Sequence, residues 1–290
     1  MKKYSKRIWD NVAQDYDVIW EVPDYTPILQ SIIQDAGIDL SMDVLDVATG
    51  TGMVSIEVAK RVGELGLVLG IDYSKPMLKQ AAKKAKGLGL HNIDFILADA
   101  HNLPIMENHF DAVTSCFAFA FLSSPLKAVK EMIRVLRSNR KVSLVEWERP
   151  PLNFWAEHRK RVGIHDFPES ELVKILHDSG LMKIHAKRIQ VLHRKPNVSG
   201  ELMRKSQLLS GKIMRLKESD AEGFFSKIRE EYQKLPPEKK KHGWLPILYV
   251  GTKYLRTLPK SGAFMKVRGV RFKHRFKFSE FCDQLLFILY

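Results

Sequence analysis

The chain has 290 residues, 45% of them hydrophobic and 28% charged, proportions of an ordinary globular protein that exclude global disorder. Two cysteines, Cys116 and Cys282, exclude a disulfide framework and a cysteine-based metal centre and point to a reducing cytoplasm, and no apolar run reaches the ~18 residues of a membrane span. The net charge of +14 is uneven: residues 1–150 hold 18 Lys+Arg against 19 Asp+Glu and residues 151–290 hold 29 against 14, or −1 and +15, so the second half admits an anionic partner such as nucleic acid or a membrane surface.

In chain order, residues 8–17 read as an aromatic-rich helix, continued by Trp20 and Tyr25, and residues 28–36 as a helix stopped by Gly37. Next comes Val44-Leu45-Asp46-Val47-Ala48-Thr49-Gly50-Thr51-Gly52-Met53, an apolar strand ending in a carboxylate, then a glycine turn, then a helix from Val54. The glycines let a ligand approach the backbone, and the first N–H groups of the helix face that ligand. Asp46 beside the turn repels a pyrophosphate and favours a cation, so the residues favour S-adenosylmethionine, with its ammonium and sulfonium, over NAD. Residues 68–72 form a second buried strand ending in Asp72, an acid able to accept both hydroxyls of a ribose. NAD enzymes use the same device, so Asp72 alone does not separate the two cofactors.

Ser74 caps the following helix, with Pro76 in its first turn. Residues 93–100 form a third strand carrying Asp99, and residues 110–116 a fourth, which opens into the apolar stretch 117–122. A helix over 126–136 leads to a turn at 137–140, where Asn139 can take positive φ, and then to a fifth strand over 141–148. Residues 170–179 form a helix ended by Gly180, and 181–193 alternate as a strand. Residues 197–243 are polar and helical, 244–254 read as a strand, and 271–278 alternate basic and aromatic side chains at strand period. The alternation of strand and helix predicts an α/β fold with a parallel sheet and crossovers.

Several motifs together resemble the class I S-adenosylmethionine-dependent methyltransferases. Asp46 to Gly52 resembles D-x-G-x-G-x-G with Ala48 at the first glycine, and Asp72-Tyr73-Ser74-Lys75-Pro76-Met77-Leu78 resembles D-x-S-x-x-M-L. The most specific match runs from Asp99-Ala100 through Leu103-Pro104-Ile105 to Phe110-Asp111-Ala112-Val113, like D-A-x-x-L-P-F-x-x-x-x-F-D-x-V. Glu131 to Leu136 matches E-x-x-R-V-L, and Leu144 to Pro150 looks like the L-E-F-S-x-P of ubiquinone/menaquinone C-methyltransferases. The early Ala13, Tyr16 and Asp17 match an A-x-x-Y-D segment that folds over the cofactor as a lid in many of these enzymes.

The resemblance implies S-adenosyl-L-methionine as cofactor, with contacts at Tyr16, Asp46, Ala48, Thr49, Gly50, Gly52, Asp72, Tyr73, Met77, Asp99, Ala100 and Ser115. It also implies a doubly wound, mostly parallel seven-stranded sheet with a helical insert before the last strand: a core with its lid over 1–195, the insert over 196–243, the final core strand over 244–255 and a basic tail over 256–290. The competing division makes everything after Lys195 a separate basic domain. No metal-ligand pattern is present, and methyl transfer from a sulfonium needs alignment more than a base. Candidate bases are His101, Glu146 and Glu148, with His158 and His165 behind them. Tyr16, Phe117, Phe119 and Trp155 suit a flat apolar small-molecule acceptor of quinol or polyphenol type. An RNA-directed methyltransferase using the basic half is the alternative, and an NAD-dependent oxidoreductase a more distant one.

Overall fold

The computed structural model describes residues 6–148, 152–191, 198–236 and 246–254. Apolar, largely β-branched runs make the strands. β1 (Asp43–Val47) pairs in parallel with β2 (Leu67–Asp72), from Asp43↔Leu67 to Val47↔Ile71, and on its other side with β4 (Phe110–Cys116). β3 (Ile93–Leu97) continues the sheet beyond β2 and β5 (Leu136–Trp147) beyond β4, both in parallel. β7 (Pro246–Thr252) lies antiparallel between β5 and β6 (Met182–Arg188). The order is β3-β2-β1-β4-β5-β7-β6, the mostly parallel seven-stranded α/β sheet that the sequence predicts. Strand order reverses between β1 and β4, so a crevice opens beyond their carboxyl ends, the place where such sheets bind ligands.

α1 (Lys6–Val12) and α2 (Val18–Glu21) precede the sheet. α3 (Thr26–Ala36) has proline in its first turn and ends on Gly37 at φ 69°, a left-handed cap that glycine adopts without strain. With α4 (Met53–Val62) it buries Ile28, Ile32, Val58 and Val62 against Val44 and Val68 of the sheet. Each such side chain contributes roughly 1.5–3 kcal/mol on burial. α5 (Lys75–Gly87) starts at Ser74, whose hydroxyl accepts the Met77 N–H at 3.4 Å.

α6 (Pro125–Val135) gives the E-x-x-R pair a physical role. Glu131 accepts the Leu103 N–H at 2.8 Å, and Arg134 donates to Glu131 at 2.8 Å, to Leu103 O at 3.0 Å and to Ile105 O at 2.7 Å. The pair therefore fixes the loop that follows Asp99.

α7 (Asn153–Val162) and α8 (Glu169–Asp178) precede β6, and α9 (Gly200–Ile213) and α10 (Glu218–Gln233) lie between β6 and β7. α9 packs on α1 and α2, and α10 on α9 and α7. Leu209 and Ile213 pack with Val12, Ala13 and Met77, while Met214, Phe224 and Ile228 pack with Leu152 and Ile164. The stretch that reads as polar therefore has a buried apolar face on the lid side of the molecule.

The expected boundaries shift where long-range pairing decides them. β3 stops at Leu97 because the chain turns at Asp99, whose carbonyl accepts the Asn102 N–H at 3.0 Å. The expected turn at 137–140 is part of β5: Asn139 does take φ 62°, but its N–H reaches Lys253 O and the Lys253 N–H reaches Arg140 O. β6 ends at Arg188 rather than at 193. Trp244, Leu245 and the tail over 256–290, with its alternation at 271–278, lie outside the described residues. No helix among the described residues is long and apolar enough to cross a membrane.

Candidate active site at the carboxyl ends of the parallel strands

Asp72, at the end of β2, is the hinge of the site. It is buried, and its Oδ2 accepts the Gly50 N–H at 2.9 Å while Oδ1 accepts the Ser74 N–H at 2.9 Å. One carboxylate thus joins the glycine turn to the start of α5. Burial raises its pKa, and these backbone donors partly offset the shift. Each oxygen keeps a further lone pair for a ligand hydroxyl.

A cavity of about 180 Å³ opens beside it. Ala48, Gly50, Tyr73 and Met77 line it from the turn and α5, and Ala98, Asp99, Ala100 and His101 from beyond β3. Tyr16 and Trp9 close it from the N-terminal segment, and Cys116, Phe117, Phe121 and Leu122 from beyond β4. Ala48 sits at φ 57°, a left-handed conformation that explains why a glycine suits this motif position.

The N-terminal segment is latched down by side chains. Ser74 Oγ donates to Asp10 at 2.6 Å, Thr51 Oγ1 donates to Asp17 at 2.5 Å, and Lys84 pairs with Asp17 at 2.8 Å. Burial pushes the Tyr16 hydroxyl pKa above its ordinary value. Trp9 packs edge-on to Phe121 with centroids 4.8 Å apart, and to Tyr16 at 6.0 Å.

Asp46 lies below the turn, 1% exposed, and lines a second, smaller cavity together with Thr49. Its Oδ1 accepts the Thr114 hydroxyl at 2.7 Å, and its Oδ2 has no partner at hydrogen-bonding distance. Burial pushes its pKa up to about 6, held back chiefly by the Thr114 hydroxyl.

Other predicted positions have different surroundings. Gly52 lines neither cavity: a Cβ there would lie 3.0 Å from Ala81 Cβ, so this glycine permits α4 and α5 to approach. Ser115 is buried, donates to Val47 O at 2.9 Å and ties β4 to β1, away from both cavities. Glu146 also lines neither. It is buried, its Oε1 accepts the Phe119 N–H at 2.7 Å, and burial raises its pKa to about 7. It anchors the 3₁₀ turn Phe119–Phe121 behind the cavity wall. Glu148 pairs with Arg188 at 2.7 Å outside both cavities.

Among the candidate bases, His101 alone reaches the larger cavity. Its Nδ1 donates to Asp99 Oδ1 at 2.6 Å and its Nε2 accepts the Ser124 N–H at 3.2 Å, a tautomer fixed by those partners. Both ring nitrogens are occupied, so the imidazole braces the β3 end against the start of α6. His158 donates through Nε2 to Met214 O at 2.8 Å, and His165 pairs with Glu171. Sequence reasoning did not single out Cys116 or Asp10 as site residues, and it placed Asp17 in the lid without its partners Thr51 and Lys84, because each depends on which distant segment lies opposite.

The ubiE/COQ5 methyltransferase family matches residues 1–160. The chain belongs to that family. By family and by sheet order it shares the α/β fold of S-adenosylmethionine-dependent methyltransferases. A demethylmenaquinone methyltransferase of Staphylococcus aureus is 33% identical over 154 residues, which are 52% of this chain and 63% of that protein. The match therefore spans less than two thirds of that relative's length. A SAM-dependent methyltransferase from Aquifex aeolicus is 26% identical, with a TM-score of 0.52 over 64% of this chain and 94% of its own. The YcgJ protein of Bacillus subtilis shares the fold at 19% identity and a TM-score of 0.57, covering 78% of this chain and 97% of its own. The family match ends at residue 160, so α8–α10, β6 and β7 lie beyond it.

Proposed function

We propose that the chain transfers a methyl group from S-adenosylmethionine to a small aromatic or lipid-like acceptor of quinol or polyphenol type. The observation that carries this reading is the larger cavity, which has the buried Asp72 carboxylate at one side and an aromatic wall of Trp9, Tyr16, Phe117 and Phe121 at the other. The residues suit the cofactor. Asp72 keeps lone pairs for two ribose hydroxyls, Met77, Asp99 and Ala100 border the space for an adenine, and the unpartnered Asp46 Oδ2 suits an ammonium. When bound, the sulfonium supplies an already activated methyl group.

The chain's part is then alignment and exclusion of water. The latched segment with Tyr16 and Trp9 closes one side, and Glu146 holds the Phe119–Phe121 turn that forms another. Neither Glu146 nor Glu148 reaches the cavity, and His101 is held at both nitrogens, so no side chain is assigned as base. A flat electron-rich ring, with its own hydroxyl as the source of charge, suits such a site. The demethylmenaquinone methyltransferase relative supports a quinol acceptor. The basic second half is proposed to bring the enzyme to an anionic membrane surface, where lipid-like acceptors reside.

The test is incubation with methyl-labelled S-adenosylmethionine and separated cell extracts. Label is expected in the lipid-soluble small-molecule fraction. Label confined to RNA would replace this reading with an RNA-directed one.

A further inference from the structure

Two buried polar atoms near the glycine turn lack a hydrogen-bond partner among the described residues: Asp46 Oδ2 and Trp20 Nε1. Asp46 and Trp20 line the same small cavity, about 30 Å³, with Thr51, Met53 and Val54 around it. The carboxylate oxygen can only accept while Asp46 is ionised, and the indole N–H can only donate. Buried polar groups are nearly always paired, so two exceptions in one cavity point to a ligand that completes them.

The rest of the cavity has the same polarity. Met53 and Val54 open α4, a ten-residue helix whose first-turn N–H groups lack intrahelical acceptors and favour negative charge. The Trp20 ring is held by aromatic neighbours rather than by its N–H. It stacks on Phe117 with centroids 5.9 Å apart and meets Tyr25 edge-on at 4.5 Å and Tyr16 at 5.9 Å. The small cavity shares Tyr16, Ala48, Gly50 and Cys116 with the larger one, so one elongated ligand can reach into both.

We propose that the Trp20 Nε1–H binds the α-carboxylate at the amino-acid end of the methyl donor, and so makes the enzyme select donors that carry this end. The inference deepens the methyltransferase reading and rests on it. Trp20 belongs to α2 of the N-terminal segment, so this contact also couples donor binding to closure of that segment over the turn.

The experiment titrates the wild-type chain and Trp20→Phe with S-adenosylhomocysteine and with 5′-methylthioadenosine, a nucleoside without the amino-acid end. Phenylalanine keeps an aromatic ring for Phe117 and Tyr25 and removes the N–H. The variant is expected to lose ~10-fold or more in affinity for S-adenosylhomocysteine, as for a hydrogen bond to a charged group, while 5′-methylthioadenosine binds within ~2-fold of wild type. The second ligand also reports whether the variant's pocket is folded. Equal loss for both ligands, or no loss for either, overturns the role of Trp20. Failure of the wild-type chain to bind either ligand overturns the methyltransferase reading itself and the inference with it.

Discussion

Asp46 is an acid held where its charge is costly. Its pKa stands at about 6 in the fold against 3.8 in an unfolded chain, because burial disfavours the carboxylate. A raised acid stabilises the fold fully below the unfolded pKa, and that contribution is lost as pH rises through about 6. At pH 8 the buried charge therefore costs roughly 3 kcal/mol relative to a neutral group. Asp46→Asn keeps an oxygen for the Thr114 hydroxyl and removes the charge. Urea unfolding of the ligand-free protein should show the variant more stable by ~2–3 kcal/mol at pH 8 and nearly equal to wild type at pH 4. Its affinity for S-adenosylmethionine should fall ~10-fold or more, because the ammonium loses a charged partner. Equal stability at pH 8, or unchanged affinity, would remove Asp46 from the site. The acids at the strand ends are legible in the sequence, since a carboxylate that closes a β-branched run has few other places to go. The lone oxygen of Asp46 is not legible, and neither is the tie from Ser115 to Val47 O, because each depends on β4 lying beside β1, 68 positions away in sequence.

At the scale of elements, the N-terminal segment packs Val12 and Ala13 against Met77, Leu209 and Ile213, and three polar latches at Asp10 and Asp17 tie it to the glycine turn and α5. Asp17 is 40% exposed, so its ion pair with Lys84 is worth little and the Thr51 hydroxyl is the stronger tie. Asp17→Ala should therefore loosen residues 6–21 selectively. Amide hydrogen exchange in α1 and α2 is expected to accelerate ~5–30-fold, the range for loss of ~1–2 kcal/mol, with β1, β2 and β4 unchanged. Faster exchange throughout the sheet, or none in the segment, would show that the latch does not hold it. The sequence shows this segment as aromatic and helical, but not that it breaks into α1 and α2, nor which loop it meets. β4 is legible to the residue because its own apolar run sets both ends. β5 is not: its first residues pair through Asn139 and Arg140 with Lys253, more than a hundred positions away.

The whole molecule joins a charge-balanced first part, which the family matches, to a basic remainder. The existence of β1 to β5 is legible in the sequence because each holds an apolar, largely β-branched run, even where its ends are not. The place of β7 between β5 and β6 is not, since its own residues carry no record of their neighbours. Charge is legible at any distance, and it motivates the last prediction. Residues 256–290 hold eight Lys+Arg against two Asp+Glu, with Arg271, Lys273, Arg275 and Lys277 alternating with Phe272, His274, Phe276 and Phe278. Near an anionic bilayer each basic residue contributes about 1 kcal/mol, enough in sum for reversible attachment that salt screens. The unit Met1–Tyr254 holds its own contacts and every residue of the candidate site, so a chain ending at Tyr254 should bind S-adenosylhomocysteine as the full chain does. In co-sedimentation with vesicles containing phosphatidylserine, the full chain is expected to pellet at low salt and to be released at high salt. The shortened chain is expected to remain largely in solution at both. Equal sedimentation of the two chains, or none by either, would detach the basic tail from any membrane role and leave delivery of the acceptor to the core alone.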